Sequence, residues 1–142
     1  MASVLKYFFL FSFGGIVYVL IEMLWRGYSH WSMFILGGIC FVLLGLINKK
    51  YTWDIPLLIQ MLIGTFIITL MEFIFGCIFN LLLNLNVWDY YDLPFNIMGQ
   101  ICLPYMFLWF LLSPVCISLT TIYVTCFSTK KNRITNYFKS RS

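Results

Sequence analysis

Charge is what this chain has least of. Aspartate, glutamate, lysine and arginine together make 10% of it, against about 25% in a soluble domain. So few charges cannot cover a water-facing surface, and lipid is expected to be the main solvent. Histidine is almost missing: His30 stands alone, which argues against a histidine-based metal site or catalytic triad. The cysteines, Cys40, Cys77, Cys102, Cys116 and Cys126, form no CxxC pair and all lie in apolar runs. They read as small buried hydrophobes rather than zinc ligands or disulfides. No GxxxxGK[ST] is present, and Gly14-Gly15 and Gly37-Gly38 start no nucleotide-binding pattern. The chain is therefore not expected to hydrolyse ATP itself. No nucleophile–base set is visible, so the expectation is a non-enzyme without a cofactor. Basic residues are too few and scattered for nucleic acid to be a partner. No second soluble domain is expected. No small-residue cleavage site follows the first apolar stretch, so a retained first span is expected.

What is present is apolar: 62% hydrophobic and 20% aromatic, with a mean hydropathy of +0.92. The predicted fold is all-α, a polytopic membrane protein with four transmembrane helices as two tandem hairpins. The spans are placed at 7–25, 31–47, 55–78 and 97–127, in one transmembrane domain over 1–127. A first span of that length makes a helix of about 28 Å, close to the roughly 30 Å of hydrocarbon. Gly37, Gly38 and Gly45 in the second span let helices approach closely. Residues 48–54 (NKKYTWD) read as a polar loop, and Pro56 opens the third span, where its missing N–H is harmless. Residues 79–87 carry three asparagines and either extend the third helix or lie in the interface. The last run is longer than one span requires. Pro104 and Pro114 are expected to kink it; a single tilted helix is preferred, with two half-helices as the alternative. Residues 128–142 read as a basic cytoplasmic tail, suited to anionic lipids or to docking a protein.

Counting Lys and Arg sets the orientation. Four spans place Lys6, Lys49, Lys50, Lys130, Lys131, Arg133, Lys139 and Arg141 on one side and only Arg26 on the other. Both termini are therefore expected in the cytoplasm.

Two acidic residues stand inside the apolar runs. Glu72 lies mid-span in IGTFIITLMEFIFGCIF, and Glu22 near the end of the first span. A carboxylate in hydrocarbon must be paired, protonated or turned to water, so Glu72 is a candidate site. The two halves also share an order of features: Gly15, Glu22, Gly27, Trp31, Gly37 and Cys40, then Gly64, Glu72, Gly76, Trp88, Gly99 and Cys102. This reads as a parallel repeat of two hairpins, which would place Glu22 and Glu72 at equivalent depths. Facing carboxylates in one dry site rarely both ionise, which suits binding of a cation or exchange of a proton. The competing reading is a polar clasp between helices. Glu22 is four residues before Arg26, the same-face spacing, and Glu72 has Gln100, Tyr18, Asn96 and Arg26 as candidate partners. Glu22, Arg26, Glu72 and Gln100 form the candidate polar or ion site. The connection WDYYDLPFN, with Trp88, Asp89, Tyr90, Asp92 and Asn96, is a second candidate, either for a cation or polar ligand or as an aromatic belt with a Pro turn.

These residues carry a resemblance. The chain has Glu22 and Arg26 at the end of a glycine-containing span; Trp31-Ser32-Met33 with Gly37; Glu72-Phe73 with Gly76 and Asn80; and Trp88-Asp89-Tyr90 followed by Pro94, Asn96 and Gly99. Over about residues 10–112 this resembles the small bacterial membrane proteins of the ABC-transporter type IV, or CmpB-like, family. Tyr91 departs from the serine common at that place. The resemblance implies a permease-like component of a bacterial cytoplasmic membrane; because four helices enclose little pathway alone, an oligomeric copy or a separate ATPase subunit is expected as its partner. A holin-type pore-forming lysis protein and a non-transporting scaffold or accessory protein are the alternatives.

The orientation is checked by labelling. A single cysteine placed within 88–96 of a cysteine-free chain should react with a membrane-impermeant maleimide from outside intact cells, and labelling only after lysis would reverse the topology.

Overall fold

The computed structural model describes residues 2–51 and 55–140. Its elements are α1 (Ala2–Arg26), α2 (Trp31–Tyr51), α3 (Leu57–Phe75), a π-helical segment (Gly76–Leu82) that continues α3, and α4 (Leu103–Lys139). The chain is all-α. Ser3–Arg26, Leu57–Leu82 and Leu103–Tyr137 are long and apolar enough to cross a membrane, and α2 adds the shorter apolar stretch Trp31–Ile47. The polarity is reversed relative to a water-soluble bundle: Leu24 is 88% exposed while Glu72 is 2% exposed.

α1 packs chiefly on α2, and α3 chiefly on α4, as two consecutive hairpins; α2 supplies most of the contact between the pairs. The first hairpin turns through residues 27–30. There His30 caps α2: its Nδ1 accepts the Ser32 backbone N–H at 3.3 Å and lies 2.8 Å from the Ser32 hydroxyl. Ser32 is fully buried, so the lone histidine satisfies a helix start.

The α1–α2 seam is built on backbone contact. A Cβ on Gly14 would stand 2.5 Å from the Phe41 Cβ and 2.8 Å from the Gly37 carbonyl oxygen. A Cβ on Gly37 would stand 2.8 Å from the Gly14 carbonyl oxygen. In lipid, helices gain little from hiding apolar surface, because acyl chains are equally apolar; close packing is what holds them. Phe11–Phe34 and Phe13–Phe41 flank the seam edge-to-face at 5.9 and 6.0 Å.

α3 starts after Pro56, whose carbonyl accepts the N–H groups of Ile59 and Gln60. Of the stretch 79–87, expected either to extend this helix or to lie in the interface, residues 79–82 extend it within the π-helical segment that ends at Leu82, while 83–87 leave the helix. The polar loop expected at 48–54 is helical up to Tyr51, and residues 52–54 lie outside the described residues.

The last span differs from its expected bounds. It begins at Leu103 rather than at residue 97, because 97–101 forms a tight turn in which the Ile97 N–H donates to the Ile101 carbonyl at 2.9 Å. Met98 (φ 54°) and Gly99 (φ 69°) are in the left-handed region there, which a right-handed helix cannot contain. The helix then runs unbroken through Pro114 to Lys139, so it is one helix and not two halves, and it includes most of the stretch read as a tail. Pro104 falls in its first turn, where no donor is lost. At 37 residues it is about 55 Å long, well beyond the hydrocarbon thickness.

The core gathers Met33, Leu36 and Cys40 from α2, Ile68 from α3, Trp109 from α4, and Val87 and Trp88 from the connection 83–102. Replacing Gly14 by Val forces the α1–α2 seam apart. Overpacking of this kind costs about 1–3 kcal/mol, so the thermal midpoint in detergent should fall by several degrees. Ile16→Val, half a turn away at an exposed position, should leave it nearly unchanged.

Candidate functional site

Three polar clasps hold the elements together. The first is centred on Glu72 of α3. Its Oε1 accepts the Tyr18 hydroxyl of α1 at 3.0 Å, and its Oε2 accepts the Trp109 indole N–H of α4 at 2.9 Å. The Tyr18 and Trp109 rings stack at 5.6 Å. One buried carboxylate thus joins three helices. Among the described residues no basic side chain forms an ion pair with it.

The second clasp closes the end of α1. Arg26 Nη2 donates to Glu22 Oε1 at 2.7 Å, as the four-residue spacing implied, and Ser29 donates to Glu22 Oε2 at 2.8 Å. Arg26 Nη1 reaches across to the Val87 carbonyl at 3.2 Å, pinning the long connection to α1. The guanidinium also lies over the Tyr28 ring at 4.8 Å.

The third clasp is made of neutral groups. Asn80 projects inward from the π-helical segment. Its Oδ1 accepts the Val87 N–H at 2.7 Å and the Trp88 N–H at 3.4 Å, and its Nδ2 donates to Gln100 Oε1 at 2.8 Å. Gln100 Nε2 donates to the Met98 carbonyl, and the Trp88 indole donates to the Gln100 carbonyl at 3.0 Å. Gly76 makes room for this: a Cβ there would stand 2.5 Å from Gln100 Oε1. A π-turn places one extra residue in the helix and rotates the residues after it, which accompanies the inward aim of Asn80.

The candidate polar site is therefore divided. Glu22 pairs with Arg26, while Gln100 bonds Asn80 and not Glu72. Of the partners considered for Glu72, Tyr18 is the one that bonds it; Asn96 instead spends its amide on the carbonyls of Tyr91 and Leu93 and accepts the Gly99 N–H. In the connection, Asp89 accepts the Tyr91 N–H at 2.9 Å, Trp88 is buried, and Asp92 is exposed. These residues shape turns and fill the core. Trp109 was not anticipated, since an indole inside a long apolar run carries no periodic or motif signal. Its role emerges only when α4 meets α3.

Glu22 and Glu72 still share a neighbourhood. A cavity of about 280 Å³ is lined by Glu22, Trp25, Arg26, Tyr90, Tyr105 and Trp109 together with leucines of α1 and α4. Trp109 is the partition: its ring faces the cavity and its N–H serves Glu72. Tyr90 stacks on Tyr105 at 4.6 Å. Burial pushes the Tyr90 phenol pKa up and the Glu72 carboxylate adds to the shift, so the phenol keeps its proton and is a donor.

The family model described as "Putative ABC-transporter type IV" matches residues 6–140. The chain belongs to this family. Neither the curated proteins nor the solved structures give a significant match. Of the motif residues through which the sequence resembles the ABC-transporter type IV family, Glu22, Arg26, Glu72, Asn80 and Trp88 take part in the three clasps, and Gly76 makes room for the third. Each has a packing or hydrogen-bonding reason in this structure.

Glu72 separates two effects. Leu at this place would leave the Trp109 and Tyr18 donors without an acceptor, at about 1–3 kcal/mol each, whereas Gln offers its oxygen to Trp109 and its amide to the Tyr18 oxygen. Thermal unfolding in detergent should therefore show a drop of several degrees for Glu72→Leu and a much smaller one for Glu72→Gln.

Proposed function

We propose that this chain is a small multi-pass subunit of a bacterial cytoplasmic-membrane transporter, a permease-like component that itself performs no catalysis. In this reading all four helices span, both termini are cytoplasmic, and ATP hydrolysis resides on a separate subunit or the chain acts as an oligomer. Glu22, Arg26 and Glu72 form the polar site between helices. The observation that carries the reading is the Glu72 carboxylate, enclosed mid-span with neutral donors alone, one indole away from a cavity walled by an ion pair. An ionisable group so placed is a functional-site candidate by default. Membership of a family described as ABC-transporter supports it.

A second reading has its own support. Both Glu72 oxygens are spent on bonds within the protein, as a structural clasp requires, and a non-transporting accessory protein would need no more. The holin alternative has no use for the buried clasps.

The tagged chain, expressed together with its chromosomal neighbours and purified in mild detergent, should elute with ATP hydrolysis activity. Elution without it, accompanied by membrane leakage on expression, would favour the holin; elution without either would favour the accessory protein. In the transporter reading Glu72→Gln should retain assembly while lowering transport-coupled ATP turnover by tenfold or more.

A further inference from the structure

The cavity beside Trp109 has an unusual balance of polar groups. Its acceptors are already engaged: Glu22 Oε1 and Oε2 each take a hydrogen bond, from Arg26 and Ser29. Glu72, behind the partition, has both oxygens taken by Tyr18 and Trp109. Its donors are not used up. Arg26 Nε is buried and has no hydrogen-bond partner. The Tyr105 oxygen accepts the Trp25 indole N–H at 3.1 Å, which leaves its own O–H to give. The Tyr90 phenol stacks on Tyr105 and hydrogen-bonds to none of the described residues. Arg26, Tyr90 and Tyr105 all line the same space. The rest of the wall is hydrocarbon and ring: Ile21, Leu24, Leu108 and Leu112 beside the tryptophans.

A buried donor with no acceptor is costly, and more so when it is charged. Among the described residues the buried side-chain atoms left without a partner are Arg26 Nε and Thr69 Oγ1, and of the two residues Arg26 lines this cavity, beside two tyrosine hydroxyls that can each donate to an oxygen from outside the chain. At about 280 Å³ the space is near the lower bound of ligand pockets, roughly 300 Å³, so the molecule is small. A cation is disfavoured here, because each Glu22 oxygen already takes a hydrogen bond and the Arg26 guanidinium stands beside them.

We propose that this cavity is a binding site for a small apolar molecule that carries a carbonyl or carboxylate oxygen, with the oxygen received by Arg26, Tyr90 and Tyr105 and the apolar body laid against Trp25, Trp109 and the leucines. This rests on reading the Glu22–Arg26–Glu72 region as a ligand-handling site and names the chemistry it handles. A guanidinium N–H given to an oxygen is a charge-assisted bond, stronger than a neutral one, so Arg26 sets the orientation. Trp109 couples the site to the bundle, because a ligand that moves its ring also moves the donor on Glu72.

The test uses the purified chain in detergent, with no other subunit present, so its outcome is independent of any ATPase. Trp25 and Trp109 make tryptophan fluorescence the readout. Octanoate, 2-octanone and octylammonium share a chain length and differ in the head group. Octanoate or 2-octanone should give a saturable change at concentrations where octylammonium gives none; 2-octanone acting alone or equally identifies a neutral carbonyl, and octanoate acting alone identifies an anion. Tyr90→Phe combined with Tyr105→Phe keeps the rings and removes the hydroxyls, and should weaken binding at least tenfold. Leu108→Trp, which fills the cavity, should abolish the saturable change even if the double variant folds poorly. Equal, non-saturating changes with all three probes, or saturation that survives Leu108→Trp, would overturn the proposal. Loss of co-eluting ATPase activity with saturable octanoate or 2-octanone binding intact would instead count against the transporter reading alone.

Discussion

A polar group enclosed by hydrocarbon has no water to fall back on, and that constraint shapes this molecule more than any other. Each unsatisfied donor or acceptor costs several kcal/mol in a lipid-like medium. The chain has few polar side chains to spend, and several of the buried ones are bonded across elements in ways that decide which helix lies beside which. Glu72 fixes α3 against α1 and α4 through two neutral donors. Asn80 and Gln100 fix the long connection over the end of α3. Arg26 fixes the same connection to α1. Apolar contact fills space around these bonds, but contact with lipid would be nearly as favourable, so it is the polar bonds and the glycine seam that discriminate among arrangements.

The connection 83–102 is as much a part of this core as the helices. Val87 and Trp88 are buried in it. Asn84, Asn86, Phe95 and Met98 adopt positive φ, conformations that cost energy for residues other than glycine and persist where surroundings over-determine them. The surroundings here are the Asn80 and Asn96 side chains, which receive or supply backbone hydrogen bonds at both ends of the connection. The result is a connection of irregular backbone in which several polar groups are met by side chains of the same chain.

The ion pair, the buried carboxylate and the aromatic cavity are one assembly. Trp109 belongs to the Glu72 clasp and to the cavity wall at once, and Arg26 belongs to the ion pair, the connection and the wall. In the proposed reading the structural clasp and the ligand site share atoms: bonds that hold the helices in place are also those a bound oxygen acceptor would compete with or complete.

The sequence by itself was enough for the solvent, the class and the family. Ten percent charge and long apolar runs imply helices in lipid whatever their arrangement, because backbone groups must bond within each segment there. The Glu22–Arg26 pair was legible too, since four-residue spacing is local geometry, and so was Glu72 as a position that must be explained. The partners of Glu72 were legible only in part. Tyr18 was among several candidates of equal standing, and Trp109, Asn80 as a hub, and the separation of Gln100 from Glu72 were not, because which side chains meet across helices depends on rotation and depth that no local pattern encodes. The start of α4 at Leu103 was likewise decided by the turn that Asn96, Gly99 and Gln100 make against the rest of the fold. Local spacing and composition set what each segment is; the pairing of scarce polar groups, a property of the assembled bundle alone, set where each segment goes.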